Sequence, residues 1–229
     1  MDSLINKNIS PLRERIYHQL VYDISHGRIN AGERLSEETL CKRFFVSKTP
    51  VREAFIQLER EGYIILKKNV GAVVQRVSRK VVDEIFTIVA VLESYALRIV
   101  VEEGKIQKSE MRLLDTLVAD MKRCSKMKKY EDYRQCNEKF HEYFLDKLGN
   151  ETMRKIIMDL RRRVYSSVVY GLTIPVHIDD YVQYHKKILE AAKQGNADKA
   201  SVLMRDHVMK SKRNLLEAME NFDNSWSAN

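Results

Sequence analysis

The stretch Ser36-Glu37-Glu38-Thr39-Leu40-Cys41-Lys42-Arg43-Phe44-Phe45-Val46-Ser47-Lys48-Thr49-Pro50-Val51-Arg52-Glu53-Ala54-Phe55-Ile56-Gln57-Leu58-Glu59-Arg60-Glu61-Gly62 decides how the chain is read. Ser36 followed by two acids has the form of an N-cap and an acidic first turn, which suits the positive end of a helix. That helix is short and is predicted to end near Phe44. Ser47 repeats the cap, Pro50 falls in the next first turn where its missing N–H costs nothing, and Val51, Phe55 and Leu58 form a buried stripe. Gly62 stops this second helix.

Upstream, Ser10-Pro11 reads as a helix start, and Leu12, Ile16, Leu20 and Ile24 recur at helical spacing until Gly27. A polar turn follows. Downstream, Tyr63 to Leu66 and Ala72 to Gln75 are two aliphatic runs around Lys67-Lys68-Asn69-Val70-Gly71, the pattern of a β-hairpin. Helix, short helix, turn, helix and hairpin make a winged helix-turn-helix over residues 1–78. In that arrangement the helix after the turn offers its first residues to the DNA major groove, and the hairpin tip lies along the backbone or minor groove. The residues so placed are Ser47, Lys48, Thr49 and Arg52 on the helix and Lys67, Lys68 and Gly71 at the tip. Arg52 can fork onto guanine N7 and O6. A solvated polar face would account for any one of these cations; their grouping points to double-stranded DNA.

The composition agrees. Eight Gly and three Pro in 229 residues leave room for few loops, against a sandwich or barrel. Forty Lys and Arg against 32 Asp and Glu give a net charge of +8, and a basic surplus attracts nucleic acid through counterion release. The three cysteines, Cys41, Cys124 and Cys136, contain no CxxC and imply neither a disulfide framework nor a thiolate zinc site. No run of about 18 uncharged apolar residues and no secretory leader is visible, so the expected location is the cytoplasm, without a membrane partner.

Residues 79–229 show no strand signal. Ser78 caps a helix over about 79–103 ended by Gly104, and helical patterns follow over about 109–124, 130–148, 151–170, 178–194 and 197–218. Gly149 and Gly195 stop two of them, Pro175 is read as a break between two others, and the polar tail from Asn221 is expected to fray. The fold class is therefore mostly α: a winged helix-turn-helix, then an all-α antiparallel six-helix bundle. At 100° per residue, Asn137 and His141 fall in or beside the stripe Tyr133, Phe140, Phe144 and Leu148. His185 lies with Tyr181, Ile188 and Ala192, and His207 with Ala200, Leu203 and Met204. One inward histidine is usually a hydrogen-bonded core residue. Three on three helices can converge into a divalent-metal site.

Two resemblances follow from these residues. Pro11 to Val74 resembles the GntR-type bacterial repressors, through Gly27-Arg28, Ala31-Gly32-Glu33-Arg34-Leu35-Ser36-Glu37, Val46-Ser47-Lys48-Thr49-Pro50-Val51-Arg52-Glu53-Ala54 and Leu58-Glu59-Arg60-Glu61-Gly62. Phe45 replaces the usual turn Gly, and Glu38 stands where many members carry a basic DNA-contacting residue. The second part resembles the FCD effector domain in its smaller, six-helix form. Asn137-Glu138-Lys139-Phe140-His141, Gly149-Asn150, His185-Lys186-Lys187-Ile188-Leu189, Gly195-Asn196-Ala197, Met204 and His207 carry that likeness. The resemblance implies a metal held by an Asp and three His beneath a small carboxylate effector. His141, His185 and His207 match, Asn137 takes the Asp position, and Val89 stands where an Arg is expected one turn before Glu93.

The expected function is thus a homodimeric, sequence-specific transcriptional regulator, most simply a repressor. Its operator binding would respond to a small organic acid in a pocket that includes Val89, Asn137, His141, His185 and His207. With only neutral donors, the site is expected to be empty or to favour Zn²⁺ or Ni²⁺ over Mn²⁺. Two other classes compete. A metal-dependent bundle enzyme finds little support, since there is no HExxH, no ExxH pair and no carboxylate at ligand spacing beside the histidines. A non-specific nucleic-acid coat would not need a compact recognition helix.

Overall fold

A computed structural model describes residues 12–25, 28–68, 70–75, 77–165 and 168–227. Its described residues divide into two compact units, one of residues up to 77 together with the segment 165–171, the other of residues 78–164 and those from 172 onward. Ser10, Pro11 and Gly27, read above as the signals bounding the first helix, lie outside the described residues.

The first unit contains α1 (Leu12–Ser25), α2 (Glu37–Phe44) and α3 (Lys48–Arg60), with β1 (Arg34–Leu35), β2 (Ile64–Lys67) and β3 (Gly71–Val74). Ile16, Leu20 and Ile24 of α1 meet Val51, Phe55 and Leu58 of α3 and Ile64 and Val74 of the sheet in one core. Ser36 caps α2 by accepting from the Thr39 N–H, as its sequence predicts. Ser47 occupies the N-cap of α3 in extended backbone, but its hydroxyl makes no capping bond. The hairpin pairs Lys67 with Gly71, so the turn is one residue tighter at each end than the sequence implies, and Gly71 takes φ +95° to close it.

The region before Ser36, expected as a polar turn, also supplies a strand. β1 pairs antiparallel with β3, giving the order β1-β3-β2. Two residues are too few to show alternation. The strand exists because Gly32 donates to the Val74 carbonyl and Val74 donates to that of Glu33, satisfying an otherwise open edge. Phe45, at the C-cap of α2, adopts φ 56° and ψ 50° and is 95% exposed. Left-handed backbone costs a side chain about 1–2 kcal/mol, which is why Gly suits this turn better.

From Ser78 onward the described elements are all helices: α4 (Arg79–Glu102), α5 (Lys108–Lys126), α6 (Tyr130–Leu148), α7 (Glu151–Tyr165), α8 (Val168–Lys193) and α9 (Ala197–Ser227). Ser78 caps α4 through the Val81 N–H, and Gly149 ends α6 in left-handed backbone. α4 packs along α9 and α6, and α5 packs on α6.

Two boundaries differ from expectation. The helix expected over about 151–170 is helical in all its described residues, as α7 to Tyr165 and from Val168 as the start of α8. Pro175 does not break the chain but lies inside α8, which begins ten residues before the predicted start. An interior proline costs about 3 kcal/mol, and burying Ile174, Ile178, Tyr181 and Val182 at roughly 1.5–3 kcal/mol each outweighs it. α9 continues through the polar tail to Ser227, where no Gly or Pro interrupts it. None of these helices is long and apolar enough to cross a membrane.

Candidate functional site

Two sets of residues carry chemistry, one in each unit. In the first, Ser47, Lys48 and Thr49 are all exposed at the start of α3, where free backbone N–H groups favour a phosphate. Lys67, Lys68 and Gly71 are exposed at the β2–β3 turn.

Arg52, one turn into α3, does not project alone. Its Nε donates to both Glu37 carboxylate oxygens at 3.0 Å, across from α3 to the first turn of α2. This contact raises the Arg52 pKa, and it occupies the inner edge of the guanidinium. The two terminal nitrogens remain as a fork of the kind that reads guanine. Sequence spacing missed Glu37, because the pair is 15 residues apart and joins two helices. Glu38, the family departure on α2, pairs instead with Lys42 at 2.8 Å in solvent.

The second set lies inside the helical unit. His141 on α6, His185 on α8 and His207 on α9 are buried, and one ligand atom from each falls within a common 4.8 Å. The His141 and His207 rings stack with centroids 5.3 Å apart, and His185 meets His207 edge-on at 4.4 Å. Phe140 meets His185 edge-on, and Phe144 packs in turn on Phe140, both rings fully buried. Burial holds all three imidazoles well below the ordinary histidine pKa, with Arg161 pushing each further down. At neutral pH they are uncharged.

With Glu93 ionised beside Arg161, the hydrogen bonds then assign the tautomers. His185 Nδ1 donates to the Tyr181 carbonyl at 2.7 Å, and His141 Nδ1 donates to Glu93 Oε2 at 2.8 Å. Each ring therefore carries its proton on Nδ1 and turns a lone pair outward from Nε2. Those two Nε2 atoms face each other at 3.3 Å. Buried His207 Nδ1 finds no partner among the described residues. Converging imidazole lone pairs repel unless something positive or proton-donating lies between them, so this donor set fits a metal ion.

Asn137 is buried on α6 one turn before His141, and Val89 is buried on α4 one turn before Glu93. A guanidinium is nonetheless present. Arg161 of α7 is buried and pairs with Glu93, donating from Nη2 to Oε2 at 2.6 Å and lying with Nε against Oε1. The expectation of no carboxylate beside the histidines is therefore corrected: Glu93 touches His141, from a helix 48 residues away. It meets the Nδ1 side, behind the ring, and so is not one of the converging ligand atoms. Burial pushes the Glu93 carboxyl above its usual range, while Arg161 opposes that shift. A guanidinium cannot lose its proton, so its buried charge holds the partner carboxylate ionised.

Comparison with known proteins agrees with both halves. Residues 12–74 match the model of the bacterial regulatory proteins of the gntR family, and residues 84–210, more than half of the chain, match the FCD domain. An uncharacterized HTH-type transcriptional regulator, YdhC of Bacillus subtilis, is 26% identical over 87% of this chain and 89% of its own length. The gluconate operon transcriptional repressor of the same species is 29% identical over 70% of this chain and 65% of its own. Among solved structures, E. coli McbR/YncC superposes with a TM-score of 0.70 at 18% identity, covering 91% of this chain and 99% of that one. With a winged helix-turn-helix followed by helices that bring His141, His185 and His207 together, this chain belongs to the GntR family of bacterial transcriptional regulators, in the group that carries an FCD domain.

Proposed function

We propose that residues 1–78 form the operator-binding domain and residues 79–229 the effector-binding and dimerisation domain of a cytoplasmic transcriptional repressor. The observation that carries this reading is the exposed start of α3, where Glu37 steadies Arg52 beside Ser47, Lys48 and Thr49. Lys67, Lys68 and Gly71 add contacts at the tip of the wing. Loss of Arg52 as alanine is expected to weaken specific operator binding by about 1–3 kcal/mol and to relax specificity. Lys48→Ala should weaken binding evenly across sequences and flatten the salt slope by roughly one unit. Fluorescence anisotropy at fixed salt, with operator and scrambled duplexes, measures both. Equal affinity for the two duplexes would favour a non-specific coat instead.

The operator is read by a homodimer, since paired half-sites are the usual route to specific affinity. A second copy is supported by an apolar stripe on α4, where Ile88, Val91 and Tyr95 are 45%, 57% and 50% exposed at helical spacing. Val91→Asp is expected to shift the protein from dimer to monomer in sedimentation at micromolar concentration. An unchanged dimer would place the interface elsewhere.

The effector is a small organic acid that enters the pocket of Val89, Asn137 and the three histidines. A bound divalent ion would supply a Lewis-acidic point for its carboxylate. His141, His185 and His207 would hold that ion, with Asn137 as an amide donor, and the neutral set favours Zn²⁺ or Ni²⁺ over Mn²⁺. Effector and operator act on each other through the populations of the conformations each prefers, and that coupling is reciprocal. Asn137→Asp restores an anionic donor, and calorimetry is expected to show tighter Mn²⁺ and Zn²⁺ binding. Tight Mn²⁺ binding by the unaltered chain, or no change in the variant, would remove Asn137 from the site.

A further inference from the structure

Three uncharged imidazoles and an amide give a divalent cation nothing anionic to meet in a buried site, and an uncompensated charge there is costly. Among the described residues, Glu93 is the one anion hydrogen-bonded to the triad, through His141 Nδ1 at 2.8 Å. That bond does two things. It keeps the His141 proton on Nδ1, so that Nε2 faces inward toward His185 at 3.3 Å. It also draws the proton toward the carboxylate and so makes Nε2 a stronger donor, as outer carboxylates do behind metal-bound histidines. Arg161 grips the same oxygen from the other side, at 2.6 Å, and its charge opposes a cation nearby.

We propose that Glu93 is a positioning residue of the metal centre that supplies, through His141, the negative charge Asn137 does not provide, and that Arg161 sets how much of that charge the metal receives. The site thus differs from an Asp-plus-three-His centre in where its charge resides. The carboxylate stands one imidazole behind the metal, on α4, and is held there by a cation from α7. This inference rests on the metal reading above, and its two parts carry opposite signs. Removing Glu93 weakens metal binding, whereas removing Arg161 strengthens it. A Glu93 that serves only to neutralise Arg161 would leave metal affinity unmoved once both are replaced.

Calorimetric titration of the full-length chain with Zn²⁺ alone tests this, using the unaltered protein, His185→Ala, Glu93→Gln, Arg161→Met and the charge-neutral double variant Glu93→Gln/Arg161→Met. The expected result is binding that His185→Ala abolishes and that Glu93→Gln weakens about 10–100-fold. The double variant should also bind more weakly than the unaltered chain, and it decides the matter if either single variant fails to fold. Arg161→Met, where folded, should bind more tightly. With Co²⁺ at saturation, Glu93→Gln should keep the visible absorption bands of the unaltered protein, because the ligands themselves are unchanged. No histidine-dependent binding by the unaltered chain would overturn the metal reading and this inference together. Binding that depends on His185 but is as tight in the double variant as in the unaltered chain would overturn only the role of Glu93, and equally weakened binding in Glu93→Gln and the double variant would overturn only that of Arg161. Loss of the Co²⁺ bands at saturation would make Glu93 a direct ligand, contrary to the proposal.

Discussion

Arg161→Met is expected to destabilise the helical unit by about 3–5 kcal/mol, because it leaves the Glu93 carboxylate buried without its partner. Glu93 is 2% exposed and Arg161 is 5% exposed, so water cannot take the place of the lost guanidinium. Replacing both members should recover most of that loss, since a buried ion pair exchanged for neutral groups of similar volume is often neutral in stability. Urea unfolding of the two single variants and the double variant gives the coupling directly. If Arg161→Met lowers stability by less than about 1 kcal/mol, the pair is solvated and the carboxylate is not confined behind His141. Strong non-additivity would show that Glu93 and Arg161 act as one unit, as the bond from Arg161 Nη2 to Glu93 Oε2 implies.

Acid should unfold the metal-free protein steeply. His141, His185 and His207 are held neutral by burial, with folded pKa values well below the ordinary histidine range. The unfolded chain binds protons near pH 6.5 where the folded chain does not, so stability falls as pH drops below that value. Each such histidine costs up to about 1.4 kcal/mol per pH unit, and three together up to about 4 kcal/mol per unit, until their folded pKa values are reached. Glu93 works in the other direction. Its raised pKa means that the folded state takes up that proton first, which offsets one histidine between the folded and unfolded carboxyl values. The net slope still favours unfolding in acid. Urea midpoints between pH 5 and pH 7.5 in the presence of a chelator test this, and a flat profile would mean that the imidazoles are not buried as neutral groups. Zn²⁺ should raise the midpoint most at the higher pH, where the ligands carry no competing proton.

The local signals were legible because caps, glycine stops and apolar periodicity act within a turn or two of chain. Ser36, Ser78, Gly62 and Gly149 stand where their sequence context places them, and α6 runs over residues 130–148 as its stripe predicts. The three histidines were legible for the same reason, since each falls on the buried face of its own helix. What helical phase could not reveal was which groups lie behind them. Glu93 and Arg161 are 68 residues apart on two helices, and a buried Glu or Arg has no periodic signature to distinguish it from a solvated one. Pro175 shows the same limit from the opposite side: a strong local breaker was overridden by the burial of Ile174, Ile178, Tyr181 and Val182.

By itself, therefore, the sequence determined the winged helix-turn-helix, the helical second half and the residues that face inward, all consequences of short-range sterics and of period. The tertiary structure alone decided that β1 joins the sheet, that Glu37 steadies Arg52 and that Glu93 stands between His141 and Arg161. These depend on hydrogen bonds and charges meeting across separate elements. Their free energy comes from satisfying polar groups in particular places, and those places exist only once the helices and strands have packed.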